Sequence, residues 1–182
     1  MTPWDSLLSA AKAGAEWAWN RIYAELAPAV RGYLVSRGAD DPDGLLGDVW
    51  LQVARNVKSF AGDEAGFRSW VFTVAHHRLV DEHRRRGRQP QRTAAEQVGD
   101  DWAGTAESAE TVALIEDETR EVFRVLDQLT DQQRDVLALR VIGDLTVEQV
   151  AEIVGKRPGA VKALQRRALR ALRKKIEQGV PL

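Results

Sequence analysis

Apolar residues recur at three- and four-residue spacing along most of this chain: Ile22, Leu26, Val30 and Tyr33; then Leu46, Val49, Val53, Val57 and Phe60; then Phe67, Trp70, Val71 and Val74. That period predicts amphipathic helices, and no stretch alternates in the way a half-buried strand requires. The breaks agree with it. Gly38 closes the first run, Asp41-Pro42 opens the second, and Gly62 separates the second from the third. Pro28 is expected to kink or split the first helix. After Arg86 the pattern fails: GRQPQRTAAEQVGDDWAGTAESAET has no usable apolar face and reads as a flexible linker.

Helical spacing resumes with Val122, Val125, Leu126 and Leu129. Thr130-Asp131-Gln132-Gln133 then has the form of a capping box, opening a helix that carries Val136, Leu137, Leu139 and Val141 and closes at Gly143. A second capping box, Thr146-Val147-Glu148-Gln149, starts a short helix whose Val150, Ala151, Ile153 and Val154 face inward, with Gly155 where a left-handed residue is wanted. A longer basic helix follows from Pro158. A short helix, a tight Gly-containing turn and a basic helix form the helix-turn-helix that reads a major groove. The expected fold is therefore all-α. Two small helical domains, residues 1–92 and 118–182, are joined by an acidic linker, 93–117, and the second contains the helix-turn-helix.

Charge sharpens this picture. The 182 residues carry a formal net charge of -1, yet residues 68–92 hold 7 basic and 2 acidic groups, 93–121 hold 1 and 9, and 155–182 hold 9 and 1. Two cationic blocks separated by an anionic stretch suggest two contacts with a polyanion, and nucleic acid is the leading partner. In the last helix Val161, Leu164, Ala168, Leu172 and Ile176 fall on one stripe while Lys162, Arg166, Arg170 and Arg173 line another. Arginines so placed can bind phosphates or a guanine edge. A merely solvated basic surface is the alternative, but no acid is interleaved between residues 154 and 175 to pair with these charges.

The other block, FRSWVFTVAHHRLVDEHRRRGRQP, brings Phe67, Trp70, Phe72, His76, His77 and His83 close to Arg78, Arg84, Arg85 and Arg86, a mixture suited to holding unstacked bases. Phe67, Trp70, Val71 and Val74 equally suit a core face, and RRRGR alone could be a nonspecific phosphate patch. His76 and His83 lack a third ligand at any recognised metal spacing. No catalytic fingerprint and no cysteine is present, so neither enzyme chemistry nor a metal or other cofactor is expected. Without a signal-like start or a long apolar run, the chain is expected to be cytoplasmic and not inserted in a membrane.

Four stretches, in order, resemble the extracytoplasmic-function class of bacterial sigma factors: DPDGLLGDVWLQV, FRSWVFTVAHHRLVDEHRRR, LDQLTDQQRDVLALRVIGDLTVEQVAEIVG and RPGAVKALQRRALRALR. The resemblance implies a subunit that directs core RNA polymerase to promoter DNA and is held inactive by an anti-sigma factor. It places Leu45, Leu46, Asp48 and Trp50 on or beside the face that docks on the clamp helices of the polymerase beta-prime subunit. It sets His77 near the loop that captures a flipped minus-ten base, with Arg84, Arg85 and Arg86 on the backbone, Arg78 also on minus-ten DNA and Asp81 in a structural role. Lys162, Ala163, Arg166 and Arg167 take groove-facing positions at minus-thirty-five, with Arg157 and Arg170 beside them. This sequence departs from the family at Gly44 and Gly47, at His77 where Asn is common, and at Arg157 and Ala160 where Ser and Thr are usual. The resemblance would run the linker through polymerase channels, with Trp102 either a docking point or a weakly packed ring. Two rivals remain: a stand-alone helix-turn-helix regulator, and a nuclease using Asp40, Asp41, Asp43 and Asp48 on a metal.

Overall fold

The computed structural model describes residues 2–88 and 129–177. The linker 93–117 with Trp102, the apolar run at Val122, Val125 and Leu126, and the side chain of Ile176 lie outside the described residues. Every regular element among those described is helical. Helices α1 (Pro3–Lys12), α2 (Glu16–Ser36), α3 (Pro42–Asn56) and α4 (Glu64–Arg88) form the first half, with a 3-10 turn at Val57–Ser59 between α3 and α4. Helices α5 (Asp131–Val141), α6 (Val147–Ile153) and α7 (Pro158–Glu177) form the second.

The stop and start signals act as the residue chemistry dictates. Asp41 accepts a hydrogen bond from the Gly44 N–H and Pro42 fills the first turn of α3. Thr130 with Gln133 and Thr146 with Gln149 close both halves of their capping boxes. Gly155 has φ +63°, the left-handed geometry expected after α6. At the end of α5 the left-handed residue is instead Asp144, φ 50°. Gly143 is required there for room, since a Cβ would lie 2.6 Å from the Leu139 carbonyl oxygen. Pro28 does not split α2. Pro28 and Ala24, whose carbonyl Pro28 leaves without a donor, are both exposed, so water can serve that oxygen.

Helix α1 went unread in the hydrophobic pattern. Thr2 and Asp5 build a capping box before it, and Leu7, Leu8 and Ala11 face inward. Phe60 also differs from expectation, lying in the connection after the 3-10 turn rather than on a helix.

One hydrophobic cluster runs through both halves. It joins Ile22, Val30, Tyr33, Val49, Val53, Phe67, Phe72 and Leu79 to Val136, Leu139, Leu145, Val150, Ile153 and Val161. A smaller cluster of Leu129, Leu137 and Ala168, covered by Ala171 and Leu172, belongs to the second half alone. At the seam a polar group is buried with the apolar ones. Arg37 Nε donates to Asp135 Oδ1 at 2.6 Å, with the Arg37 side chain only 5% exposed and Asp135 17%. Tyr33, fully buried, places its hydroxyl 2.9 Å from His76 Nδ1 and 3.5 Å from Asp135 Oδ1. Gln149 adds a bond from its side-chain amide to the Ala65 carbonyl at 3.2 Å.

Removing one member of a buried ion pair strands the other. Asp135→Ala is therefore expected to cost about 3–5 kcal/mol in chemical denaturation. Asp131→Ala, whose carboxylate reaches Arg37 only at 3.9 Å and is 89% exposed, is expected to stay within about 0.5 kcal/mol of wild type.

Candidate nucleic-acid interface

Helix α7 presents the cationic face its periodicity implies. Lys162, Arg166, Arg167, Arg170 and Arg173 are exposed, Val161 and Ala168 are buried, and Leu164 and Leu172 are half-buried. Arg157, in the turn before the helix, is exposed, while Ala163 is half-buried. Gly159, Lys162, Gln165, Arg166 and Leu169 line an open groove of about 480 Å³, with Leu169 exposed in it. The face is thus free for phosphates and base edges.

On α4 the arginines differ from one another. His77, Arg84, Arg85 and Arg86 are exposed and Arg78 is half-buried. Arg78 Nε donates to Gln52 Oε1 at 2.8 Å. Arg86 is pinned to the α2–α3 connection, pairing with Asp40 at 2.7 Å and donating to the Gly38 carbonyl at 3.2 Å. Arg84 has only a loose pair with Asp81 at 3.8 Å. His77, Arg78 and Arg84 border a cleft of about 610 Å³ whose other wall is Ile153, Val154 and Gly155 of the helix-turn-helix. The cationic part of α4 therefore faces the end of α6 and the turn before α7 across one cleft.

On α3, Leu45, Leu46 and Trp50 are buried at 6–8% exposure, whereas Asp48 is exposed. Trp50 packs against the ring of Tyr23 at 5.1 Å. The large apolar residue on the outer face is Leu51, 55% exposed, three positions after Asp48. Sequence reading missed it, although the Asp48 and Leu51 spacing was available. At Gly44 a Cβ would meet only the movable carboxylate of Asp41, which caps α3. Gly47 opens onto free space and so costs roughly 1 kcal/mol of helix propensity relative to Ala.

A second feature was also missed. Gln52, Asn56, Ser59, Phe60, Ala61 and Trp70 enclose an open cleft of about 460 Å³ where α3 turns into α4. Phe60 and Trp70 stack at 5.3 Å with planes 21° apart, and both are half-buried. Gln52 Oε1 accepts from Arg78 and Asn56 Nδ2 donates to the Gln52 carbonyl at 2.8 Å, which leaves Gln52 Nε2 and Asn56 Oδ1 beside the aromatic wall to meet a planar heterocycle. The available signal was Gln52 and Asn56 at i, i+4 just ahead of an aromatic residue.

Three of the four acids of the nuclease reading are otherwise engaged. Asp41 caps α3, Asp43 takes both Arg31 nitrogens at 2.7 and 3.0 Å, and Asp40 binds Arg86. The Arg31 bond lowers the pKa of Asp43 and raises that of Arg31. Among the described residues no three His, Cys, Asp or Glu side chains come together as a metal site. No described helix is long and apolar enough to cross a membrane.

Burial lowers the His76 pKa below its ordinary 6.5, with the nearby Asp135 charge opposing and the His77 and Arg37 charges assisting. Burial and the same carboxylate push Tyr33 well up. For a base with a depressed folded-state pKa, the unfolded chain takes up the proton first. The folded state is expected to be weakened as pH falls below 6.5 toward the lower folded-state value. Denaturation midpoints between pH 8 and 5 measure this, and His76→Gln is expected to flatten the trend.

The Sigma-70 region 2 family matches residues 22–89 and the Sigma-70, region 4 family matches residues 125–174. The chain is 35% identical over 147 residues to ECF RNA polymerase sigma factor SigK of Mycolicibacterium vanbaalenii, covering 78% of this chain and 73% of that one. It is 29% identical over 178 residues to ECF RNA polymerase sigma factor SigD of Mycobacterium tuberculosis, covering 94% and 83%. In fold it is similar to CnrH, solved with the cytosolic domain of CnrY (TM-score 0.67, 18% identity, 95% of this chain and 96% of that one). It is equally similar to RpoE of Bartonella quintana, solved with the anti-sigma factor NepR (TM-score 0.67, 20% identity, 87% and 96%).

Proposed function

The chain belongs to the extracytoplasmic-function (ECF) RNA polymerase sigma factors, and from that membership and the geometry above we infer how its surfaces divide the work of promoter-specific initiation. It is a sigma factor that binds core RNA polymerase and directs transcription initiation, and sigma factors are initiation factors rather than enzymes. The observation that carries the assignment is the presence of both regions in order in one chain, which disfavours a stand-alone helix-turn-helix regulator.

In this reading residues 1–92 bind polymerase and the minus-ten region, 93–117 connect, and 118–182 read minus-thirty-five. Asp48 and Leu51 meet the beta-prime clamp helices, with Leu45, Leu46 and Trp50 shaping the helix from beneath. His77, Arg78, Arg84, Arg85 and Arg86 take the minus-ten backbone. An unstacked base enters the cleft of Phe60, Trp70, Gln52 and Asn56, where stacking and amide bonds offset the few kcal/mol of unstacking. Arg157, Lys162, Ala163, Arg166, Arg167 and Arg170 lie against the minus-thirty-five groove. The protein acts in the cytoplasm, and a protein inhibitor is expected because the relatives of known structure were solved with partners, RpoE with the anti-sigma factor NepR.

The packed halves cannot do all of this at once. Elements about 25 base pairs apart lie about 85 Å apart along duplex DNA. A compact chain of this length has a radius of gyration of about 16 Å. The shared core is the resting form, and promoter engagement parts the halves.

Run-off transcription with core polymerase and a promoter library tests the function: initiation is expected to depend on the protein and to fall at least about tenfold with Asp48→Arg. Binding of duplex DNA without any starts would contradict it. The absence of native cysteine permits a clean lock, since Ala65→Cys with Gln149→Cys can be joined by a short bismaleimide across the seam. The crosslinked protein is expected to lose initiation, and the same variant without crosslinker to keep it.

A further inference from the structure

Two side chains of α1 grip the far side of the cleft between α3 and α4, and we propose that Lys12 and Trp4 are positioning residues that set which base this cleft accepts. The inference rests on the reading of that cleft as the seat of the unstacked minus-ten base.

Lys12 Nζ donates to the Phe60 carbonyl at 2.6 Å, and Trp4 Nε1 donates to the Gly62 carbonyl at 3.4 Å. These bonds tie the α3–α4 connection to residues 48 and 58 positions away in sequence. The rings extend the grip. Trp4 lies 5.2 Å from Phe67, and Phe67 meets Phe60 edge-on at 5.2 Å and Trp70 at 5.5 Å. The wall of the cleft is thus continuous with α1. Helix α1 is itself fixed, by its capping box at one end and by the Trp19 indole N–H on the Ala11 carbonyl, 3.1 Å, at the other.

The remaining hydrogen bonds of the connection are local, the Phe60 N–H meeting the Val57 carbonyl at 3.1 Å. Asp63 caps α4 through the Gly66 N–H at 2.8 Å, and Ser59 bonds back to the Asn56 carbonyl at 2.8 Å. Between them Phe60, Ala61 and Gly62 belong to no helix. The Phe60 ring sits so close over Gly62 that a Cβ there would lie 3.0 Å from Phe60 Cζ. An untethered wall would order itself around whichever base arrived, and right and wrong bases would gain alike. A wall fixed beforehand rejects the base that does not match it. Lys12 suits the task, because a part-buried ammonium–carbonyl bond is charge-assisted and its place in the last turn of α1 favours a cation.

The test uses holoenzyme reconstituted with core polymerase. The probe is a pool of single-stranded nontemplate DNA randomised across the minus-ten element, with the bound fraction sequenced. Asn56→Ala, which alters the cleft directly, is expected to flatten base preference at one position. Lys12→Met is expected to flatten that same position by about fivefold, the order set by one hydrogen bond, while other positions and the melting temperature stay as in wild type. Lys12→Arg is expected to restore the preference. Trp4→Phe keeps the ring, loses the indole N–H and is expected to act at the same position. Flattening by Asn56→Ala with wild-type preference in Lys12→Met and Trp4→Phe would overturn the positioning role and leave the base cleft standing. An equal loss at every position in Lys12→Met would also overturn it. No positional effect of Asn56→Ala would sink the base reading and this inference with it.

Discussion

A buried cation with its partner on the other side of a seam governs this molecule. Arg37 sits at the end of α2, nearly out of solvent, and both carboxylates it reaches, Asp135 at 2.6 Å and Asp131 at 3.9 Å, come from α5. An unpaired guanidinium in that place would be costly, so the first half accepts only a neighbour that delivers an acid there. The Tyr33 hydroxyl completes the group, 2.9 Å from His76 Nδ1 and 3.5 Å from Asp135 Oδ1, while His76 Nδ1 stands 3.9 Å from that carboxylate oxygen. Apolar residues around it supply the attraction, and the polar group supplies the register.

The same chemistry makes the seam separable. Parting the halves returns Arg37 and Asp135 to water, and rehydration of the ions offsets part of the apolar surface lost. A seam made only of leucines and valines would resist separation more strongly and would tolerate more than one alignment. While the halves meet, the cleft between α4 and the turn of the helix-turn-helix brings His77, Arg78 and Arg84 opposite Ile153 to Gly155. His77, Arg78 and Arg84 then look into that cleft, while the cationic face of α7 stays exposed on the other side of its helix.

Much of the architecture was legible in the sequence because it rests on local rules. The capping boxes at Thr130 and Thr146, the Asp41-Pro42 start and the Gly155 stop are short-range chemistry, and each appears as read. The α7 stripe was legible for the same reason. Helix α1 was not, since it is only ten residues long and its capping box uses Asp5 in place of Glu or Gln. The α3 site was legible only in part: the Leu46, Val49 and Val53 period marks the buried side, but the family resemblance named Leu45, Leu46 and Trp50 along with Asp48, and Leu51 on the outer side was passed over. The grip of Lys12 on the Phe60 carbonyl and the Arg37–Asp135 pair join residues far apart in sequence. Nothing in a linear pattern encodes those meetings.

The claim beneath all of this is that one chain holds its two halves on a shared core at rest and parts them on a promoter. Spin labels on Cys introduced at exposed Ala54 and Val141 report that separation directly in a cysteine-free background. The account predicts one narrow, short distance population in the free protein and a shift of several tens of ångströms on addition of core polymerase and promoter DNA, the scale of the spacing between the two elements. An unchanged short distance in a complex that initiates transcription would contradict it.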